Sequence, residues 1–398
     1  MLVSWAPSVP LFGSANSPNP NPLLGEHDRS MAPPAAAELI GDVIGEILLR
    51  LPPDEPEHLF RAALVCKLWL RVLCGPDFRR RYRAFHGTPP LLGLLHKRQG
   101  MQGSAVDRFV STTSMPDFPR PSSNGPHGRV LIQMWAAEPT RLVFLIWDPV
   151  TGDRRVVPMP DFGWLGYTAA VSCAADSCDH LDCHGGPFRV VVVATDGRTL
   201  RVSASMYSSE TGVWSTKVTL GSDCECYSQH VNDAIRGGTF VTPSRAAVIG
   251  DETYCTLEQS HAIIKYDGDN NGLSMINPPP CNAYEISLMV MDESSLGFVF
   301  IEGSKLYLWS WKVNSEVPAE WVQFRVIKLE TMLPVVNLRK APFVVGSAEG
   351  VGAIFISTDA GLFTTELKSG RVRKVDKPAV YFSVLPYMSF CTPGRILN

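Results

Sequence analysis

Five cysteines and histidines that lie close together are the residues best suited to chemistry. They are spaced as Cys-x4-Cys-x-His-x2-Cys-His, and they are Cys173, Cys178, His180, Cys183 and His184. Thiolate and imidazole groups are the usual protein ligands of zinc. The spacing matches no standard zinc knuckle, however, and a polar insertion loop between two strands explains the segment equally well. We therefore assign no metal ligand and no cofactor, and zinc stays open as the alternative.

Other reactive patterns give less support to catalysis. Cys224 and Cys226 are separated by one residue, unlike the Cys-x-x-Cys of redox sites, which favours an exposed loop. The chain has no Gly-x-Ser-x-Gly elbow, no phosphate-binding loop and no His-Glu-x-x-His motif. We predict that the protein is not an enzyme by itself, and a site assembled in space from distant residues stays open as the alternative.

Basic residues cluster at Arg79, Arg80, Arg81 and Arg83. Such a run contacts phosphate in some proteins, but it is more often the solvated face of a helix. The whole chain carries 36 Lys and Arg against 39 Asp and Glu, a net charge of −3. This balance argues against nucleic acid as a partner.

The composition is that of a globular protein rich in turns. Hydrophobic residues are 45%, charged residues are 19%, and there are 32 glycines and 32 prolines in 398 residues. No run of 18 apolar residues exists, so we expect no membrane partner. Ten cysteines at irregular spacings indicate reduced thiols and a location in the cytoplasm or the nucleus.

Residues 1–35 differ from the rest of the chain. They are rich in Pro, Asn, Ser and Ala and show no hydrophobic period, so we predict a disordered leader. Met31 is an alternative start of translation.

Three predicted helices follow, over residues 36–88. The first presents one apolar stripe and stops at Pro52 and Pro53; the stripe is formed by Ile40, Val43, Ile44, Ile47, Leu48 and Leu51. The second helix is expected over 57–73 and the third over 77–85. Helices this short cannot bury their apolar surface among themselves, so some of it should face a partner.

Residues 89–398 are predicted to form β structure. The predicted strands are 129–134, 141–147, 188–195, 200–208, 246–249, 262–266, 285–291, 296–301, 306–311, 322–327, 352–357, 362–367 and 372–375. No segment between them is long enough for a crossover helix, which favours antiparallel sheets.

A degenerate repeat suggests how these strands are arranged. Turns near Gly152, Gly212, Asp267, Asn314 and Gly370 lie about 40 to 60 residues apart, the spacing of four-stranded propeller blades. We predict an antiparallel β-propeller of five or six blades, the sixth closed by residues 91–115 pairing with the C-terminus. A β-sandwich is the alternative.

The helical unit resembles the F-box. The resemblance covers about residues 38–85 and is carried by the first helix with its Leu51-Pro52 stop, by Val65-Cys66-Lys67-x-Trp69, and by Phe78. One departure is that Ile40-Gly41 follows Leu39, where F-boxes usually open with Leu-Pro. The part that follows is similar, more loosely, to the propeller-type F-box-associated domains of plant F-box proteins, through segments such as Trp147-Asp-Pro-Val-Thr-Gly152.

This resemblance implies a substrate-recognition subunit of a ubiquitin ligase. The F-box would bind a Skp-type adaptor and through it a cullin, and the propeller would recruit an unknown protein target. The residues implied in adaptor binding, or in the packing behind it, are Leu39, Ile40, Val43, Ile44, Ile47, Leu48, Leu51, Pro52, Leu64, Val65 and Trp69.

Other interpretations remain. A propeller scaffold with a drifted F-box is the first alternative, and a propeller enzyme is the second. The target is expected on rim loops, with 176–187 and 267–280, which contains Pro278, Pro279 and Pro280, as candidates.

Overall fold

The protein is described here as a computed structural model. The residues described are 36–99, 105–113, 129–136, 141–148, 153–161, 163–175, 178, 185–221, 240–242, 246–258, 262–279, 281, 286–291, 295–313, 318–333, 341–348 and 350–393. The predicted leader, residues 1–35, lies outside this part of the chain. No helix in the described part is both long enough and apolar enough to cross a membrane.

Four helices open the described chain, where three were predicted. They are α1 (Ala36–Leu48), α2 (Glu57–Ala63), α3 (Lys67–Cys74) and α4 (Pro76–His86). The predicted helix over 57–73 was wrong, because the chain leaves the helix after Ala63 and Cys66 is fully extended. This break lets α2 and α3 fold against each other and buries Leu59 and Leu73 completely, which one straight helix cannot do.

Local sequence explains where the last helix begins and ends. Pro76 occupies its first turn, where a missing N–H costs nothing, and the extended Gly75 precedes it. Gly87 has a φ of +70°, the left-handed conformation in which glycine commonly terminates a helix. The first helix ends at Leu48, and the chain turns through Leu49–Leu51 before the two prolines.

The remainder folds into six antiparallel sheets, so the predicted propeller is confirmed with six blades and the sandwich is excluded. Blade 1 contains β3 (Val130–Ala136), β4 (Arg141–Trp147) and β5 (Arg154–Pro158); blade 2 contains β6 (Trp164–Cys173), β7 (Phe188–Asp196), β8 (Val202–Ser208), β9 (Val213–Trp214) and β10 (Val218–Thr219); blade 3 contains β11 (Ala247–Ile249), β12 (Glu252–Thr256), β13 (Ile263–Asp267) and β14 (Gly272–Ile276).

The other three blades complete the ring. Blade 4 contains β15 (Ile286–Val290), β16 (Leu296–Glu302), β17 (Lys305–Lys312) and β18 (Glu320–Lys328); blade 5 contains β19 (Phe343–Ala348), β20 (Ala353–Thr358), β21 (Gly361–Glu366) and β22 (Val372–Asp376); blade 6 contains β1 (Leu91–Gln99), β2 (Ala105–Ser111) and β23 (Tyr381–Met388).

The two ends of the β region close the ring, as predicted. Strand β1 pairs antiparallel with β23, and Leu91 lies opposite Met388. Leu94 is fully buried between this pair and blade 5, in contact with a cluster that includes Phe355 and Val384. A close approach of His96 to Asp376, with 2.9 Å between Nε2 and Oδ2, also joins β1 to blade 5.

Tryptophans on outer strands connect neighbouring blades. The indole N–H of Trp214 donates to the carbonyl of Pro158 at 2.9 Å, which joins blade 2 to blade 1. Trp321 donates in the same way to Asn277 at 2.8 Å, which joins blade 4 to blade 3. In both cases the acceptor lies where the outer strand of the preceding blade ends.

The helices and the start of the inner strands lie on opposite sides of the ring. Each four-stranded antiparallel blade returns the chain to the side from which its first strand began, so the first strands of successive blades start on one side. The last first strand, β23, ends beside the start of β1, and the amide of Ser389 donates to the carbonyl of Pro90 at 3.3 Å. The helical unit is therefore attached at the side where the inner strands end.

Candidate adaptor-binding surface

The helical unit has its own hydrophobic core, which decides which predicted residues are available to a partner. The fully buried residues at its centre are Leu48, Leu59, Leu73 and Tyr82. Ile44, Leu51 and Trp69 pack against this core and remain partly exposed. Four of the eleven predicted residues thus serve the internal packing of the unit, wholly or in part.

Five other predicted residues face outward. Val43 and Ile47 lie one turn apart on the outer side of α1 and are 59% and 56% exposed. Leu64 and Val65 occupy the break between α2 and α3 and are 82% and 61% exposed. Pro52 is exposed as well. The side chains of Leu39 and Ile40 lie outside the described part of the structure, although both residues belong to α1.

The break between α2 and α3 explains the exposure of Leu64 and Val65. Their amides donate to the carbonyls of Arg61 and Ala62, three residues back, which tightens the last turn of α2. The chain then extends at Cys66, so neither side chain faces the helical core. Because these two adjacent aliphatic side chains are exposed, they do not gain the free energy that burial in a core gives to hydrophobic groups.

Charged residues surround the two exposed apolar sets differently. On α1 the carboxylate of Glu46 forms an ion pair with Arg81 of α4. Nη1 of Arg50 lies 3.9 Å from Oε2 of Glu46. Beside Leu64 and Val65, the exposed charges are the basic side chains of Arg61 and Lys67. The surface can therefore bury aliphatic groups of a partner and pair with acidic residues near the α2–α3 break.

Hydrogen bonds from α4 hold the turn that leads to Pro52. The hydroxyl of Tyr82 donates to the carbonyl of Leu51 at 2.8 Å, and Nε2 of His86 donates to the carbonyl of Leu49 at 2.9 Å. Burial, followed by the nearby charge of Asp54, raises the pKa of Tyr82, so its hydroxyl stays protonated and remains a donor at neutral pH.

Two further residues in this region were not predicted from the sequence. Phe390, which follows β23, packs in the helical core, and Phe85 at the end of α4 is 57% exposed. The helix predicted over 77–85 already contained Phe85, and only the exposure of its side chain was not predicted. No local sequence pattern predicts that Phe390 packs in the helical core, because Phe390 and the other residues of that core are some 300 residues apart in the chain.

The predicted reactive segments are only partly described. Among the residues that the structure describes, no group of three or more His, Cys, Asp or Glu could hold a metal ion. Cys173 and Cys178 are described, whereas His180, Cys183 and His184 lie outside the described residues, so zinc binding stays untested. Cys224 and Cys226 lie outside them as well. Arg80 and Arg81 pair with carboxylates on the helix surface.

Comparison with known proteins identifies the helical unit. Residues 39–81 match the F-box domain. An F-box protein of Arabidopsis thaliana is 25% identical over 193 residues, which cover 44% of this chain and 44% of the relative. The chain thus matches less than half the length of that relative. It carries an F-box domain, and a six-bladed β-propeller follows the domain.

Solved structures with a similar chain trace share little sequence with this protein. A chain of a nidogen–laminin complex is 13% identical with a TM-score of 0.38, over 75% of this chain and 99% of the other. Virginiamycin B lyase of Staphylococcus aureus is 10% identical with a TM-score of 0.34, over 76% and 94%. The six-bladed architecture rests on the strand pairing described above and not on these likenesses.

Proposed function

We propose that this F-box protein is the substrate-recognition subunit of a Skp-cullin-F-box ubiquitin ligase. The observation that carries the proposal is the outward-facing apolar set Val43, Ile47, Leu64 and Val65, which lies in the matched F-box and has no covering contact within the described chain. Such exposed aliphatic groups mark an interaction site. The expected partner is a Skp-type adaptor that links the chain to a cullin.

The contribution of the protein to ubiquitin transfer would be proximity. Holding a target lysine near the ubiquitin thioester raises their effective concentration, and this requires no reactive group from the chain itself. In this proposal the protein is a non-catalytic subunit. It acts in the cytoplasm or nucleus, since ten cysteines without a disulfide-type spacing suit a reducing compartment.

The proposal places the target on the side of the propeller away from the F-box. Trp164 and Leu165, at the start of β6, are 40% and 51% exposed, and Val380, just before β23, is 43% exposed. All three lie where inner strands begin. The loop predicted over 267–280 contains strand β14, and Pro278 and Pro279 follow that strand on this side. Most of the other predicted loop, 176–187, lies outside the described residues. Leu165→Asp should reduce the set of proteins whose ubiquitination the chain promotes, with adaptor binding unchanged.

Adaptor affinity is the first measurement. Ile47→Asp and Val65→Asp should each weaken binding of the full chain to purified Skp adaptor at least tenfold, about 1.4 kcal/mol, because a charge replaces a buried aliphatic contact. Val213→Asp is the matched control, since Val213 on blade 2 is also 61% exposed. Equal affinity for all four proteins, or no binding by a folded wild type, would refute the proposal.

A scaffold with a drifted F-box is the second candidate, and one observation favours it. Gly41 lies inside α1 with nothing within 4 Å of its missing side chain, and glycine there costs a helix about 1 kcal/mol. If the wild type fails to bind the adaptor, Ile40→Pro restores the usual Leu-Pro opening. Affinity gained by that variant would support the drifted scaffold. Continued absence of binding would exclude it when hydrogen exchange shows that α1 beyond residue 40 is as protected as in the wild type.

A further inference from the structure

The residue that completes the F-box core comes from the other end of the chain. Phe390 is only 9% exposed and belongs to the same core cluster as Leu59, Leu73 and Tyr82. Its ring meets the Tyr82 ring edge to face, with 6.1 Å between centroids. Aromatic pairs in this geometry are favourable beyond the area they bury. The F-box is therefore not packed by its own helices alone.

Phe390 reaches this core only when the sixth blade is closed. Ser389 is the single residue between Phe390 and the end of β23, and its amide bonds to the carbonyl of Pro90, just before β1. The position of β23 in turn is set by its pairing with β1, in which Met388 lies opposite Leu91. If β23 leaves β1, the strand pairing no longer positions Phe390 beside α4.

The contact leads directly to the candidate adaptor surface. Phe390 packs on the ring of Tyr82, and the hydroxyl of Tyr82 holds the carbonyl of Leu51 at 2.8 Å. Leu51 precedes Pro52, one of the outward-facing residues. One aromatic ring thus connects the end of the propeller with the turn that presents the adaptor surface.

We propose that Ser389, Phe390 and Cys391 form a clasp that makes the ordered state of the F-box depend on closure of the propeller. A chain whose sixth blade is open or incomplete would then present a loosened F-box. Such coupling would withhold the adaptor surface from misfolded or truncated chains. The clasp itself concerns folding within this chain, and its link to the adaptor rests on the proposed function.

Cys391 supplies a reporter for the clasp. It packs beside Leu92 and Tyr387, and burial raises the pKa of its thiol to about 11. Cys255 in blade 3 is fully buried, and burial raises its pKa to about 12. Thiolate is the reactive form, so Cys391 should be alkylated when the clasp opens and Cys255 only when the propeller unfolds.

The test is hydrogen exchange of the full chain without adaptor. Phe390→Ala should speed exchange of the α1–α4 amides at least tenfold, while amides of blades 3 and 4 and the protection of Cys255 stay at wild-type values. Phe85→Ala is the matched control, because it removes the same side chain from an exposed position on α4. Removal of 389–398 should reproduce Phe390→Ala, and removal of 394–398 should not.

Wild-type exchange rates in α1–α4 of the Phe390→Ala protein would overturn the proposal. If that variant does not fold, the wild-type protein provides the test. As the urea concentration increases, the rate of Cys391 labelling and the exchange rate of the F-box amides should rise together. Cys391 labelling while the F-box stays protected would also overturn it. Because no adaptor is present, failure of the proposed function leaves this result intact.

Discussion

Adjacent residues of α1 divide between two roles. Leu48 is buried in the helical core, and its neighbour Ile47 is 56% exposed. The same division separates Trp69, which packs on the core, from Val65. Substitution of Trp69 therefore tests folding together with binding, whereas substitution of Ile47 or Val65 tests binding alone.

This division predicts opposite results for one pair of variants. Leu48→Ala should destabilise the helical unit by about 2–5 kcal/mol, because it leaves a cavity in a packed core. Ile47→Ala should change stability by about 0.5 kcal/mol or less, as exposed substitutions do. Hydrogen exchange of the α1–α4 amides measures both. Similar losses for the two variants would show that Ile47 is packed and not available to a partner.

At the scale of elements, tryptophan hydrogen bonds stabilise the contacts between blades. Trp214 on β9 and Trp321 on β18 each donate to the end of the preceding blade, at 2.9 and 2.8 Å. The two sites lie in different blades and share no partner. They are therefore expected to contribute independently.

Trp214→Phe and Trp321→Phe should each cost about 0.5–1.5 kcal/mol, the net contribution of a typical hydrogen bond, because water can replace the lost donor at each exposed carbonyl. The double variant should lose about the sum. Urea unfolding monitored by circular dichroism gives the free energies of unfolding. The slope of free energy against urea concentration should stay unchanged if the native state is intact. Trp164→Phe on the exposed start of β6 is the control, and a loss as large there would mean that the hydrogen bonds are not the cause.

At the scale of the whole molecule, the ring is closed by its two most distant strands. Leu94 of β1 is fully buried against β23 and blade 5. Separation of β1 from β23, which we call opening of the seam, would expose blade 5 as well as blade 6. The propeller should therefore unfold as a unit.

Leu94→Ala should lower the stability of the entire propeller by about 2–5 kcal/mol, since it creates a cavity at the seam. The urea midpoint should fall for probes in every blade together. Val322→Ala on β18 changes an exposed residue and should leave the midpoint nearly unchanged. Separate transitions for blade 6 and blade 3 would contradict a cooperative ring.

Much of the fold could be read from local patterns. All thirteen predicted strands overlap observed ones, and the turns after β8 and β21 contain the predicted glycines, Gly212 and Gly370, both with positive φ. Seven observed strands were not predicted: β5, β6, β9, β10, β12, β14 and β19. Strand β6 contains Gly166, where an added side chain would lie 2.7 Å from the carbonyl oxygen of Val241. The close approach of another segment, and not a hydrophobic period, explains the glycine at this position.

The sequence alone determined the helical stripe, the proline stop, the antiparallel repeat and the F-box resemblance, because these depend on residues close together in the chain. Only the tertiary structure decided which apolar residues of the F-box face outward, that a break divides the second helix, and that Phe390 enters a core built by residues 48–82. Burial is a property of packing between distant segments. Periodicity identifies an apolar face but not what covers it.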